Sequence, residues 1–324
     1  MSLTIYNEAR FEKHCREYLA LDEALKPQIC GGFEFFVWRK AQRDSMGEGE
    51  TQKQNNKKRK QVFPYGNYKS YYGYRIGQGA DEDPRLKVLR KEWFEGKECL
   101  DIGCNNGIIT IQIAQKFCCR SILGIDIDSD RVEDAYWNLR KTVRLKSNGN
   151  KPAKVPKLQD KDHADDSGNS VTVLSNVDTK ETSKEHSSLE QIDLLNVISF
   201  KRENFVQSRH PPGKHYDTIL CLSVTKWIHL NWGDDGLVTL FAEIWKLLRP
   251  GGILVLEPQP WKSYESNRHV SETTAANYRN IMIRPERFQE ILLDKIGFRT
   301  VEDITSGLTG SKTGFNRPIL VFGK

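Results

Sequence analysis

The sequence predicts an α/β fold built on an open sheet, mostly parallel, with an antiparallel C-terminal strand. Three observations predict it. Short apolar runs alternate with helix-period stretches from about residue 98 to the C-terminus. The first run, Cys99-Leu100-Asp101-Ile102, leads directly into a glycine-bounded turn, Gly103-Cys104-Asn105-Asn106-Gly107, and then into a helical pattern. A second run, Ile122-Leu123-Gly124-Ile125-Asp126, ends on a carboxylate nineteen residues beyond Gly107.

The elements follow in order. Residues 1–60 read as an extension, mostly disordered and at most weakly attached. It holds one helical-looking stretch, 9–25, an aromatic group (Phe33, Phe35, Phe36, Trp38) and a polar tract from Met46 to the basic tetrad Lys57-Lys58-Arg59-Lys60. The main domain is expected over 61–324. It opens with five tyrosines in ten residues, Tyr65 to Tyr74, without strand alternation. A short helix comes next: Asp83 caps it, Pro84 suits its first turn, and Leu86, Leu89 and Trp93 form its apolar face. Strands are expected near 98–102, 121–126, 197–201, 216–222, 252–257, 298–304 and 317–323. Helices are expected near 107–117, 129–145, 234–248, 272–282 and 285–296. Pro250-Gly251-Gly252 reads as a turn between helix and strand, and Pro285 starts the late helix. Between about 147 and 190 the pattern collapses into Lys, Asp, Ser, Asn and Thr with no aromatic residue, which reads as a disordered surface insertion.

The composition sets limits. A net charge of +6 over 324 residues does not by itself argue for nucleic acid. The clustered Lys57–Lys60 tetrad reads either as a solvated linker or as a nuclear import signal or phosphate contact. The seven cysteines form no CxxC pair, and Cys99, Cys104 and Cys221 fall in apolar runs as buried free thiols. No apolar run approaches eighteen residues, so a soluble, reducing, intracellular setting is expected.

The turn after the first strand carries the chemistry. Its spacing is Asp-x-Gly-x-x-x-Gly, not the G-x-G-x-x-G that seats a pyrophosphate on a helix end. The acid before the first glycine suits a cofactor with a cationic amino-acid head, which makes a nicotinamide oxidoreductase a distant alternative. Asp126 is positioned to accept from a ribose diol. Asn204-Phe205, after the third strand, offers an amide and a ring for adenine. Cys221-Leu222-Ser223 ends the fourth strand in the same crevice, because ligands of open α/β sheets bind at the carboxyl ends of strands. The turn resembles motif I of class I S-adenosylmethionine-dependent methyltransferases, with Asn105 in place of the usual middle glycine.

Four further segments narrow the resemblance: Asn67-Tyr68-Lys69-Ser70-Tyr71-Tyr72-Gly73-Tyr74-Arg75, Ser223 to Asp234, Leu256-Glu257-Pro258-Gln259-Pro260-Trp261, and Gly314-Phe315-Asn316-Arg317-Pro318. Together they closely resemble the RNA methylphosphate capping enzymes of the bicoid-interacting methyltransferase group, from Phe63 to Lys324 apart from the insertion. The resemblance implies a class I methyltransferase fold and methyl transfer from S-adenosyl-L-methionine to the γ-phosphate at the 5′ end of a small noncoding RNA, such as polymerase III small nuclear RNAs. It implies cofactor contacts at Tyr72, Arg85, Asp101, Gly103, Cys104, Asn105, Asp126, Ile127, Asn204, Phe205 and Leu222. It implies that Tyr71, Arg75 and Lys226 face the RNA 5′ phosphates, with Lys69, Trp261 and Phe315 also on the RNA. A nuclear location and ribonucleoprotein partners go with it, and no metal or membrane does. Other readings are a 5′-monophosphate acceptor, a small-molecule or protein methyltransferase, and a noncatalytic RNA-binding protein that stabilises a ribonucleoprotein.

The residue types suit that chemistry. A phosphate oxygen is already an anion at neutral pH, so no strong base is needed. What is needed is placement of the acceptor in line at about 3–3.5 Å. Arg75 offers a bidentate phosphate contact, Lys226 a point charge and Tyr71 a hydroxyl to orient the acceptor oxygen. His229, among Trp227, Ile228 and Leu230, is expected to be structural or RNA-facing, not a base. Trp232 and Trp261 either stack on a terminal base or pack in the core. Glu257 would repel a triphosphate, so a structural hydrogen-bonding role is expected for it.

Overall fold

The computed structural model describes residues 62–69, 71, 82–149, 193–211, 213–307 and 317–324. The expectations for the N-terminal extension and for most of the insertion lie outside these residues.

Seven strands form one sheet in the order β3-β2-β1-β4-β5-β7-β6. They are β1 (Glu98–Ile102), β2 (Ser121–Asp126), β3 (Ile198–Arg202), β4 (Tyr216–Leu222), β5 (Leu248–Glu257), β6 (Thr300–Asp303) and β7 (Leu320–Gly323). β1 to β5 pair in parallel, and β7 runs antiparallel to both of its neighbours. β1 and β4 carry continuous apolar runs because helices cover both faces of the sheet. Chain order reverses between β1 and β4, which opens a crevice at the carboxyl ends of the central strands.

The helices are α1 (Ile108–Phe117), α2 (Ser129–Gly149), the single turn α3 (Leu194–Val197), α4 (Thr225–Leu247), α5 (Trp261–Asn267), α6 (Glu272–Asn280) and α7 (Phe288–Ile291). One core joins α4 and α7 to the sheet through Leu237, Phe241, Ile244, Phe288 and Leu292. The other joins α1 and α2 through Ile109, Ile113, Ala135 and Leu139. Among the described residues, no helix is long and apolar enough to cross a membrane.

Several elements depart from expectation. The helix expected after Asp83 breaks into two 3-10 turns, Pro84–Lys87 and Lys91–Trp93, separated by extended backbone at Arg90. A continuous helix with Leu86, Leu89 and Trp93 inward would leave Arg85 on its flank. Here Arg85 is buried, and Phe94, not Trp93, enters the core. Helix α4 begins nine residues earlier than the 234–248 expected, because Gly233 (φ 65°) kinks it and conceals the first half. β5 starts at Leu248, with a register irregularity where Pro250-Gly251-Gly252 bulges out. α5 was not expected at all. α2 runs to Gly149, so residues 147–149 are helical and not part of an insertion. The late helix is composite: a 3-10 turn at Pro285–Arg287, then α7, then a π turn at Leu292–Ile296.

Candidate functional site

The turn from β1 to α1 forms the floor of the crevice. Gly103 adopts φ 72°, and a Cβ there would lie inside the Val224 side chain. The amides of Gly103 and Cys104 both donate to the Ile125 carbonyl, at 2.8 and 2.9 Å. Asn105, in place of a glycine, adopts φ 50°, a conformation asparagine tolerates better than most residues. Its amide N–H donates to Asp126 Oδ2 at 2.9 Å, and its side-chain Oδ1 accepts from Asn106 N. Cys104 turns its side chain away into the core, where burial pushes its thiol up, so it offers the crevice backbone only.

Two carboxylates stand at this floor. Asp101 is 1% exposed and accepts from Thr110 Oγ1 at 2.6 Å. Asp126 accepts from the Asn105 and Asp128 amides. Burial pushes both up to about 6, against the hydrogen bonds each receives. Both line the same cleft. Ile127, Asn204 and Phe205 line its β2–β3 side, and Tyr71, Arg85, Leu222 and Ser223 its β1–β4 side. Phe205 is buried and packs on the His210 ring at 4.5 Å.

Residues 62–69 strap across the cleft. Asn231 Nδ2 donates to the Pro64 carbonyl at 3.0 Å, Asn67 donates to Asp128, and Asn105 Nδ2 donates to the Tyr68 carbonyl at 3.4 Å. Gly66 (φ 69°) lies against Trp227 so closely that a Cβ would overlap the indole. Tyr68 meets the same indole edge-on, and Tyr65 stacks on Trp232 at the rim.

Beside Leu222 a buried polar chain begins. Arg85 pairs with Asp83 at 2.8 Å and with Glu257 at 3.0 Å. Burial opposes its charge, but the two carboxylates outweigh that and hold its pKa well above the usual value. Glu257 also accepts from Ser223 Oγ at 2.7 Å, and Ser223 Oγ accepts from Arg317 Nη1 at 2.7 Å. Glu257 thus has the structural role expected of it. Ser223 itself has φ 64°, uncommon for serine. Gln259 is buried, accepts from Thr225 Oγ1 and Lys226 N, both at 3.2 Å, and donates to the Ser223 carbonyl. Lys226 is 5% exposed, donates to Ser263 Oγ at 3.0 Å and lies 4.2 Å from the centroid of the Trp227 ring. Burial, then the Arg317 charge, lower its pKa to about 7. His229 is fully buried between Asp234 and the Tyr264 hydroxyl, and burial lowers its pKa, so it is structural.

The structure therefore gathers Tyr71, Arg85, Asp101, Gly103, Asn105, Asp126, Ile127, Asn204, Phe205 and Leu222 around one cleft. Lys226 does not line the cleft but is linked through Gln259 to Ser223, which does, and Lys69 is exposed on the strap. Trp261 does not line the cleft. It is half-buried and stacked on Tyr278 (4.9 Å, 14°) and Tyr264, with Arg284 over its ring, which is the packing alternative of the two readings of this residue. Tyr72, Arg75 and Phe315 lie outside the described residues. Sequence reasoning did not single out Asp83, Gln259 or Arg317 as site residues, nor the backbone of Ser223. The prolines flanking Gln259 were the available signal: they mark the end of the β5 ladder.

This donor and acceptor set fits S-adenosylmethionine. Asp101 is a buried carboxylate whose raised pKa an ammonium would relieve, and Asp126 stands where a diol would donate. Arg85, paired with Asp83 and Glu257, lines the same cleft. The fold and the site define a class I S-adenosylmethionine-dependent methyltransferase. A general methyltransferase domain profile matches residues 100–254, and the Bicoid-interacting protein 3 (Bin3) profile matches residues 216–324. A probable RNA methyltransferase of Arabidopsis thaliana is 62% identical over 83% of each chain. The 7SK snRNA methylphosphate capping enzyme of Homo sapiens is 38% identical over 83% of this chain and 40% of its own length. The U6 snRNA methylphosphate capping enzyme Amus of Drosophila melanogaster is 39% identical over 81% of this chain and 75% of its own. The chain belongs to the Bin3 family of methyltransferases.

Proposed function

We propose that this protein O-methylates the terminal 5′ phosphate of a small noncoding RNA, the γ-phosphate of a 5′-triphosphate end. The observation that carries the proposal is the cation pair Lys226 and Arg317 behind Ser223, beside the part of the cleft lined by Tyr71 and Leu222. Relatives named for capping snRNAs match across more than four-fifths of the chain, which supports the same acceptor class here.

When bound, S-adenosylmethionine supplies an electrophilic methyl group on a sulfonium. The chain's residues bind and orient. Asp101 and Arg85 hold opposite charges at the amino-acid end, and Asp126 accepts from hydroxyls on the ribose side. The strap over Trp227 narrows the cleft and excludes water. No residue has to take a proton, because a phosphate oxygen is already anionic. Lys226 and Arg317 draw the acceptor phosphate in, and Tyr71 orients one of its oxygens. A nuclear location and ribonucleoprotein partners accompany this reading. The basic tetrad Lys57–Lys60 supports the nuclear location.

The test is incubation with methyl-labelled S-adenosylmethionine and matched RNAs carrying 5′-triphosphate, 5′-monophosphate or 5′-hydroxyl ends. Label on the terminal phosphate of the triphosphate RNA is expected. Label only on the monophosphate RNA would move the acceptor, and no label with intact cofactor binding would refute the proposal.

A further inference from the structure

A buried lysine without a carboxylate is an unusual resting state, and Lys226 is in one. Its neighbours come from every side. The Trp227 ring lies on its own helix, Ser263 Oγ comes from α5, and Gln259 holds its backbone. Arg317, from the segment before β7, is the charged group that acts on it, and that charge has the same sign. Glu257, the nearby carboxylate at the end of β5, is hydrogen-bonded by Arg85 and Ser223. Tyr264, also on α5, stays neutral because burial pushes its hydroxyl well up. Among the described residues Lys226 forms no ion pair. Lys226 and Arg317 thus adjoin in a low-dielectric site, where the Arg317 charge disfavours protonation of Lys226. An anion placed between them reverses the balance.

We propose that Arg317 is a second cation of the acceptor-phosphate seat, and that this seat loads its anion together with a proton that completes the charge on Lys226. The inference rests on the reading of the site as a 5′-phosphate methyltransferase, and it adds to that reading a proton linkage and the part that Arg317 plays in it. Arg317 is held for the role by its Nη1 contact with Ser223 Oγ, which ties the guanidinium to a residue that lines the cleft. A guanidinium cannot give up its proton, so Lys226 is the partner that adjusts.

The linkage has a definite sign. Free Lys226 titrates at about 7, so at pH 8 it is mostly neutral. A phosphate beside it raises that value, and binding then takes up close to one proton. Affinity accordingly falls about tenfold per pH unit above 7 and levels off below.

Tripolyphosphate is the probe, titrated into the full chain by calorimetry at pH 8 in buffers of different ionisation enthalpy. The wild type is expected to take up about one proton more per anion than Lys226→Met, which corrects for the proton exchanged by tripolyphosphate itself. Arg317→Gln is expected to bind at least tenfold more weakly at pH 6.5. It should also show smaller uptake at pH 8, because Lys226 no longer faces a cation. Arg317→Lys, which keeps the charge, should restore most of the affinity. Binding of S-adenosylhomocysteine should stay within twofold in all three variants. Equal proton uptake in the wild type and Lys226→Met, or unchanged tripolyphosphate affinity in Arg317→Gln, would overturn the proposal. So would parallel loss of S-adenosylhomocysteine binding, which would make Arg317 a support of the donor cleft. If the wild type binds tripolyphosphate with proton uptake yet does not methylate 5′-triphosphate RNA, the acceptor assignment fails and the seat stands.

Discussion

Replacing Arg85 by Met separates the charge network from simple packing. Arg85 is 1% exposed, and its partners Asp83 and Glu257 are both fully buried. Methionine keeps much of the volume and removes the cation, so two carboxylates remain with no neutralising charge. Breaking a buried pair from one side costs about 3–5 kcal/mol. The loss has a pH signature. An orphaned buried carboxyl has a folded pKa raised above its unfolded value near 4, so the folded state holds protons that the unfolded state has released. Stability then falls as pH rises through that window, by about 1.4 kcal/mol per unit if one carboxyl responds and about twice that if both do. The difference between Arg85→Met and wild type is thus expected to be small at pH 4.5 and to reach about 3–5 kcal/mol by pH 7.5. Urea unfolding of the cofactor-free protein across that range measures it. A difference below about 1 kcal/mol at pH 7.5, or one equal at both ends, would refute the assignment of Asp83 and Glu257 as partners that depend on Arg85.

Three further outcomes follow from the site. Asp101 must be ionised to meet an ammonium, so calorimetric affinity for S-adenosylhomocysteine should weaken about tenfold per pH unit below 6. Asp101→Asn should bind weakly throughout and lack that slope, and a retained slope would assign it to another group. Gly66→Ala places a methyl group into the Trp227 indole at φ 69°, which should free the strap, red-shift tryptophan emission and weaken S-adenosylhomocysteine binding. Its Tm should stay within about 4 °C of wild type, because the strap lies outside both cores. Trp261→Leu should cost about 2 kcal/mol in urea unfolding through lost stacking on Tyr278 and Tyr264. Affinity for a 5′-triphosphate RNA should change less than twofold, and a fivefold loss would return Trp261 to the RNA.

The donor half of the site was legible because it is local. Asp101, the turn and Asp126 lie on two adjacent strands, and alternation of strand and helix fixes where those strands end. The sheet order then brings Asn204 and Leu222 to the same rim without further information. What was not legible depends on long-range pairing. Arg85 and Glu257 are 172 residues apart, and Arg317 and Ser223 are 94 apart. Neither partner announces the other in sequence. The kink at Gly233 had a similar effect on a smaller scale: a glycine within an apolar stretch reads as a boundary, and here it bends a helix that continues on both sides. Trp261 was ambiguous for a different reason. Composition cannot distinguish an aromatic ring that waits for a base from one already stacked on Tyr278.

Glu257 shows why the acceptor half needs coordinates. A carboxylate facing a triphosphate should repel it, and from sequence alone that argues only for a structural role, without naming its partners. In the structure its charge is met inside the protein: Arg85 and Ser223 both donate to Oε2, and its backbone carbonyl accepts the Ser223 amide. Ser223 is held from two sides, by Glu257 and by Arg317, in a backbone conformation that serine adopts only when its surroundings enforce it. The strained residue thus stands between the buried pair of Arg85 and Glu257 and the Lys226 and Arg317 cations. The carboxylate that the sequence assigns only a structural role is the group that fixes Ser223, and through it the position of Arg317.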